Sequence, residues 1–358
     1  MFVRPLVIGV PSLLDNEKCD NMALLKRLGG NSGNMLFTEA LLRLIVGSKW
    51  QPNSLHDADG DCVVVAAANW LNPGDDFGWL ADEIEKSRLP AFIVGIGAQS
   101  SLRKEIPRIE PGTVRLLKVV AERSGAISTR GPFSSEVLEH YGIKNSVPTG
   151  CPSLLLCGPQ GPAFNKGVLG PQIVLHGTRH GNFAGGEFQS YFYRQAFALK
   201  KEILLQSELV DLEIATGIAP YDIEPADAHM VNRTYAAGPY PNLVQFLRTK
   251  AAFFYNLEKW ISYARKKDFF VGTRIHATVL SLIAGTPAVL IAHDSRTEEL
   301  AEVMGVPYVR PDKIDTNAPL DCEGLFEIFK NSDFGKYRAY RTKFLEFFRE
   351  NGFTASNE

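Results

Sequence analysis

Arg274 and His276, one residue apart, close the apolar run 269–272 and open a second apolar run, 275–284. A guanidinium is a planar, permanently charged fork of N–H donors suited to carboxylates and phosphates, and an imidazole exchanges protons near neutral pH. Two further groups stand in equivalent places. Arg130 follows the run 126–129, and His293-Asp294-Ser295-Arg296 follows the run 288–292. If the chain brings these ends together, the chemistry within reach is the gripping of a small anion beside a proton-exchanging ring. Each position also has a plainer reading, in which the arginine pairs with a structural carboxylate and the histidine caps a helix.

Convergence requires strand-to-helix turns. In an open parallel sheet such turns lie at the carboxyl ends of the strands, where ligands bind, and each following helix presents unpaired N–H groups and a positive dipole end. The first 150 or so residues alternate in this way. Short apolar runs at 6–10, 62–67, 91–95, 126–129 and 146–149 predict strands, and periodic segments at 34–46, 113–123 and 134–141 predict helices. A Gly/Pro-rich passage, 158–171, then breaks all periodicity. A second alternation starts at 172 and resumes around Phe270, Val289 and Tyr308. The expected fold is therefore α/β, with two Rossmann-like doubly wound domains facing across a cleft: an N-terminal domain 1–157, a linker 158–171, a C-terminal domain 172–335, and a helix within 336–358 packing across a domain through Tyr340, Phe344 and Phe347. Within the second domain, 188–255 reads as a central insertion. Residues 191–205 are helical in pattern, and the aromatic-rich span 235–255 fits a helix, a lid or an acceptor surface equally.

The net charge of −2 advertises no nucleic-acid partner, so an anionic ligand has to be met locally. The five cysteines, Cys19, Cys62, Cys151, Cys157 and Cys322, are odd in number and form no CxxC pair, which argues against a zinc site and a disulfide framework and fits a reducing cytoplasm. The opening residues read as a strand rather than a signal peptide, and no apolar run approaches the ~18 residues of a spanning helix. His176 and His180 flank Gly177 and Arg179, but no carboxylate or cysteine completes a ligand set, so no metal is expected.

Three smaller motifs carry two readings each. Gly95-Ile96-Gly97-Ala98-Gln99-Ser100 lacks the third glycine of a dinucleotide fingerprint and more simply lets backbone approach a ligand or the facing domain. Asn31-Ser32-Gly33-Asn34 suits a helix cap, with Asn34 or Ser32 as the capping group, or a set of amides for sugar hydroxyls. Asn69-Trp70 suits a sugar-stacking platform or ordinary core. No nucleophile elbow and no Walker loop occurs.

Taken together, these segments resemble the polysaccharide pyruvyl transferase family. The resemblance rests on Asn31-Ser32-Gly33-Asn34, Gly95-Ile96-Gly97-Ala98-Gln99, Ser128-Thr129-Arg130 through Ser134 with Gly142 beyond, Arg274-Ile275-His276 and Asp294-Ser295-Arg296, between about residue 30 and about residue 310. It implies a fold like the GT-B glycosyltransferases and transfer of the enolpyruvyl unit of phosphoenolpyruvate to two hydroxyls of one sugar, with a cyclic ketal and phosphate as products. Phosphoenolpyruvate would be held by Arg130, Arg274 and Arg296. His276 would be the acid or stabilise the departing phosphate, and Asp294 would be a candidate base. The acceptor, an oligosaccharide precursor, would meet Asn31, Asn34, Asn69, Trp70, Gly97 and Gln99. No cofactor is implied, membrane contact would be peripheral through a lipid-linked acceptor, and oligomerisation is left open. Two departures stand out: the family's usual lysine is Arg296 here, and its usual aspartate after the strand-end arginine is Gly131. The competing readings are a nucleotide-sugar glycosyltransferase of the same architecture and a non-catalytic glycan-binding protein.

Overall fold

The computed structural model describes residues 1–13, 20–164, 167–178, 187–217 and 223–356. Cys19, Arg179 and His180, named above, lie outside them. The N-terminal strands are β1 (Pro5–Ile8), β2 (Lys49–Gln51), β3 (Cys62–Ala66), β4 (Ala91–Val94), β5 (Ile127–Thr129) and β6 (Ser146–Pro148). All pair in parallel, in the order β2-β1-β3-β4, and a bridge between Ile96 and Thr129 continues the sheet to the pair β5-β6. The second sheet holds β7 (Ile173–His176), β8 (Glu202–Leu204), β9 (Ala251–Ala252), β10 (Phe269–Gly272), β11 (Ala288–Ile291) and β12 (Tyr308–Val309), again all parallel, in the order β12-β11-β10-β7-β8-β9. Val63, Val64 and Val65 are wholly buried, as are Phe269, Phe270 and Val271. Such unbroken apolar runs are what a parallel sheet covered on both faces requires.

The structure corrects the reading of 188–255. The span is no appendage, because β8 and β9 inside it form one edge of the second sheet. The helix expected over 191–205 is Glu187–Ala198, and it gives way to β8. Within 235–255, helix Tyr240–Lys250 turns Phe246 into the core against Phe197 and Tyr235, so most of this span is scaffold rather than lid. β2 was not foreseen, since Lys49-Trp50-Gln51 is a polar edge strand with no apolar run to betray it.

One core runs through both domains. Helix Asn34–Leu44, the 3-10 helix Pro152–Cys157 and helix Ile275–Ile283 pack in sequence, so the cluster over β1 and β3 is continuous with that of the second sheet. The last helix, Lys336–Glu350, ties both sides: Tyr337 donates to the carbonyl of Gly158 at 2.6 Å, Tyr340 to that of Cys151, and Asn351 accepts from the amide of Ala126 at 3.1 Å.

Candidate active site

A cleft of about 690 Å³ opens between the two sheets at the carboxyl ends of their strands. Gly9 to Pro11 after β1 and Ala68 to Trp70 after β3 line one side, and Thr178 after β7 with Thr273 to His276 after β10 line the other. In each sheet these are the neighbouring strands between which the connection order reverses. Both topological switch points, the places where open α/β sheets bind ligands, therefore face one space.

Arg274 lines this space, but its charge is met. Nε donates to the carbonyl of Gly177 at 2.7 Å, and Nη2 donates to Ser207 Oγ and to Glu208 Oε1. The Glu208 side chain is 1% exposed and also accepts from the Tyr193 hydroxyl at 3.0 Å and the Gln206 amide at 2.8 Å. The plainer reading of Arg274 is the one the geometry displays. Its backbone amide donates to His176 Nδ1 at 3.1 Å, so that ring is a neutral acceptor; burial, then the Arg274 charge, push the His176 pKa down to about 3.

His276 occupies the first turn of helix Ile275–Ile283 and reaches the cleft. Its Nε2 lies 3.6 Å from Cys151 Sγ, and its ring packs on Phe37 with centroids 5.3 Å apart. Burial, then the charges of Arg130 and Arg296, hold its pKa well below the usual histidine value. The resting ring is neutral. Cys151, counted above only for its spacing, is the partner that sequence reading missed; its position just beyond β6 was the available signal.

Arg130 is 1% exposed and lies behind the cleft wall rather than on it. Nε donates to the carbonyl of Gly95 at 2.9 Å, while Nη2 has no partner among the described residues. Burial lowers its pKa to about 10, which leaves it charged at neutral pH. Gly97 makes this placement possible, because a Cβ there would stand 2.4 Å from Arg130 Cδ. Gly97 therefore seats the arginine and does not itself reach the cleft. Arg296 does line the cleft, with Nη2 3.3 Å from Asp294 Oδ2 and a buried Nε that has no partner among the described residues. Asp294 is committed elsewhere. It caps helix Ser295–Met304 by accepting from Thr297 N at 2.8 Å and Thr297 Oγ1 at 2.7 Å. Burial favours its protonated form, but Arg296, His293 and the Thr297 bonds outweigh that and hold the carboxyl down at about 2, a weak proton acceptor.

Asn31, Asn34, Asn69 and Trp70 all line the cleft. Asn31 Oδ1 accepts from Gly33 N at 2.8 Å, and Asn34 Nδ2 donates back to Leu28 O at 3.1 Å, so helix Asn34–Leu44 begins at Gly33 without the side-chain cap expected of Asn34 or Ser32. Gln99 stands behind, accepting from Asn69 Nδ2 at 2.6 Å. Trp70 stacks on Phe77 at 4.0 Å. Gln206, Trp50 and Trp79 also line the cleft and were not foreseen.

The domains exchange polar groups directly below. Ser295 N and Oγ donate to Ser100 O at 3.2 and 3.1 Å. Glu299 accepts from Ser134 N at 3.2 Å and from the Ser134 hydroxyl, so it caps helix Pro132–His140 from the opposite domain. The space for it exists because residue 131 is glycine; a Cβ there would lie 2.5 Å from Glu299 Oε2. The room left by the glycine is thus occupied by a carboxylate of the other domain.

Fold and site define a two-domain α/β protein with a cationic interdomain cleft. A family profile described as polysaccharide pyruvyl transferase matches residues 15–295, and the chain belongs to that family. No curated protein matches the sequence. Solved structures similar to it include a UDP-N-acetylglucosamine 2-epimerase from Rickettsia bellii (10% identity, 98% of this chain and 96% of that one, TM-score 0.46), Anabaena HepE in complex with UDP and glucose (9%, 96% and 95%, 0.44) and Staphylococcus aureus MnaA with UDP (11%, 97% and 97%, 0.44). At such scores the likeness carries no argument about the ligand of this chain. Among the described residues no helix is long and apolar enough to cross a membrane.

Proposed function

We propose that the chain moves the enolpyruvyl unit of phosphoenolpyruvate onto two hydroxyls of one sugar in a polysaccharide or lipid-linked oligosaccharide precursor, forming a cyclic ketal and releasing phosphate. The observation that carries this reading is the pair of buried guanidinium donors without described partners, Arg130 Nη2 and Arg296 Nε, on two arginines whose charges both act on the neutral imidazole of His276. A buried N–H donor without a partner is costly, and an incoming dianion satisfies it. Size agrees. Phosphoenolpyruvate has about ten non-hydrogen atoms, which at a water's share of ~30 Å³ each fill ~300 Å³, less than half of the 690 Å³ cleft. The remainder suits one pyranose.

His276 begins the cycle as a proton acceptor. It takes the proton of the first attacking hydroxyl as that oxygen bonds to the donor's C2. The imidazolium so formed, beside Arg130 and Arg296, gives this proton up readily to the methylene carbon, which becomes a methyl group. The second hydroxyl then closes the ketal as the C–O bond to phosphate breaks, and its proton leaves on that phosphate. Arg296 and the first-turn amides of helix Ile275–Ile283 hold the anion, with Arg130 adding charge from behind.

The test is phosphate release from phosphoenolpyruvate with acceptor glycan present, together with mass spectrometry of the glycan. Gain of one pyruvyl increment, lost in His276→Asn and Arg296→Ala, is expected. Calorimetric binding of a nucleotide sugar but not of phosphoenolpyruvate would transfer the site to the glycosyltransferase reading.

A further inference from the structure

Three of the chain's four tryptophans, Trp50, Trp70 and Trp79, line the cleft, and the fourth, Trp260, is wholly buried in the second domain. Trp70 has one face engaged with Phe77. Trp50 and Trp79 do not behave as core residues: they are 45% and 43% exposed although they sit on the wall of a cavity. A tryptophan left this open forgoes much of the burial of the largest side chain. Trp50 is nonetheless held in place, its Nε1 donating to the carbonyl of Gly9 at 3.0 Å just beyond β1, which fixes the ring at the cleft mouth. Trp79 is the second residue of helix Gly78–Ser87, whose Leu80, Ala81 and Ile84 are buried, so its backbone is anchored too.

The same cleft also offers short polar groups. Asn53 and Asn69 are amides, and Asp75 is a carboxylate that accepts from Asn72 Nδ2 at 2.7 Å. Aromatic faces together with amides and a carboxylate match the two surfaces of a pyranose, its C–H face and its hydroxyl edge.

We propose that Trp50 and Trp79 form a saccharide platform that binds a sugar ring of the acceptor beyond the one that reacts. The word acceptor here rests on the transfer reaction proposed above; binding of the saccharide to the platform does not.

Intrinsic tryptophan fluorescence reads this directly. The chain would be titrated with gluco-, galacto- and manno-oligosaccharides of two to four residues, with the free hexoses and UDP as comparators. Saturable quenching by at least one oligosaccharide is expected, at least tenfold tighter than by its free hexose, and weakened at least tenfold in Trp79→Ala and in Trp50→Ala, with calorimetric phosphoenolpyruvate binding unchanged. Unchanged oligosaccharide affinity in both folded variants, a response to UDP alone, or no response to any saccharide overturns the platform. The two proposals fail separately. Saccharide binding through the tryptophans without phosphate release removes the transfer reaction and leaves the platform, whereas transfer with an unaltered acceptor KM in both variants removes the platform and leaves the reaction.

Discussion

His176 lies wholly buried at the end of β7, where its neutral ring accepts the amide of Arg274 and so fixes the start of the helix that carries His276. Replacing it by asparagine keeps an acceptor near the position of Nδ1 and removes the titration. The sign follows from proton counts. The folded ring titrates near 3, the unfolded one near the ordinary histidine value of 6.5, so below 6.5 the unfolded chain binds the extra proton. Stability is therefore full above the unfolded pKa and falls as pH drops through it. At pH 5.5 the unfolded state holds about 0.9 proton more at this residue, a slope of about 1.2 kcal/mol per pH unit, and between pH 6.5 and 5.0 the loss comes to about 1.6 kcal/mol. His276 adds a loss of the same sign in both proteins and cancels in the comparison. Urea unfolding across this range, with the two slopes subtracted, isolates the His176 contribution. Parallel pH profiles for His176→Asn and the parent would show that the ring is protonated in the folded chain and that its bond to Arg274 is misread.

Other perturbations give equally direct outcomes. Gly97→Ala sets a Cβ 2.4 Å from Arg130 Cδ and should lower kcat/KM for phosphoenolpyruvate at least tenfold while the fold is retained; unchanged kinetics would dissociate Arg130 from the site. Glu208→Gln removes the carboxylate that compensates Arg274 and should cost about 3–5 kcal/mol in denaturant titration, and a loss well under ~1 kcal/mol would mean that Arg274 finds its partner elsewhere. Cys151→Ala removes the sulfur 3.6 Å from His276 Nε2 and should move the acidic limb of the kcat/KM profile without changing the unfolding midpoint by more than a few degrees; an identical limb would make Cys151 mere packing.

The strand-to-helix arginines were legible because a lone cation at the end of an apolar run has few places to go other than the carboxyl edge of a sheet. Their individual fates were not. Arg274 is compensated by Glu208, far away in sequence and within a stretch whose strands are only three and two residues long, too short to leave a pattern. Arg130 sinks beneath Gly97, and a glycine's service as a vacant volume for another side chain is invisible in one dimension. Trp50 was hidden in a polar edge strand, and Cys151 among cysteines that could be judged only by their spacing. Both switch points were readable in outline; which side chains fill them is decided by packing across the two domains.

The helix beginning at Pro132 borrows its terminal acceptor from Glu299, across the seam, and the serines at 100 and 295 are laced together beside it. Prising the lobes apart would strip that helix end and strand a carboxylate together with Arg130 in a widening crevice. These bonds tie the two walls of the cleft together. Under the transfer reaction proposed above, a long glycan would be dressed at one residue while the rest of it stays in solvent.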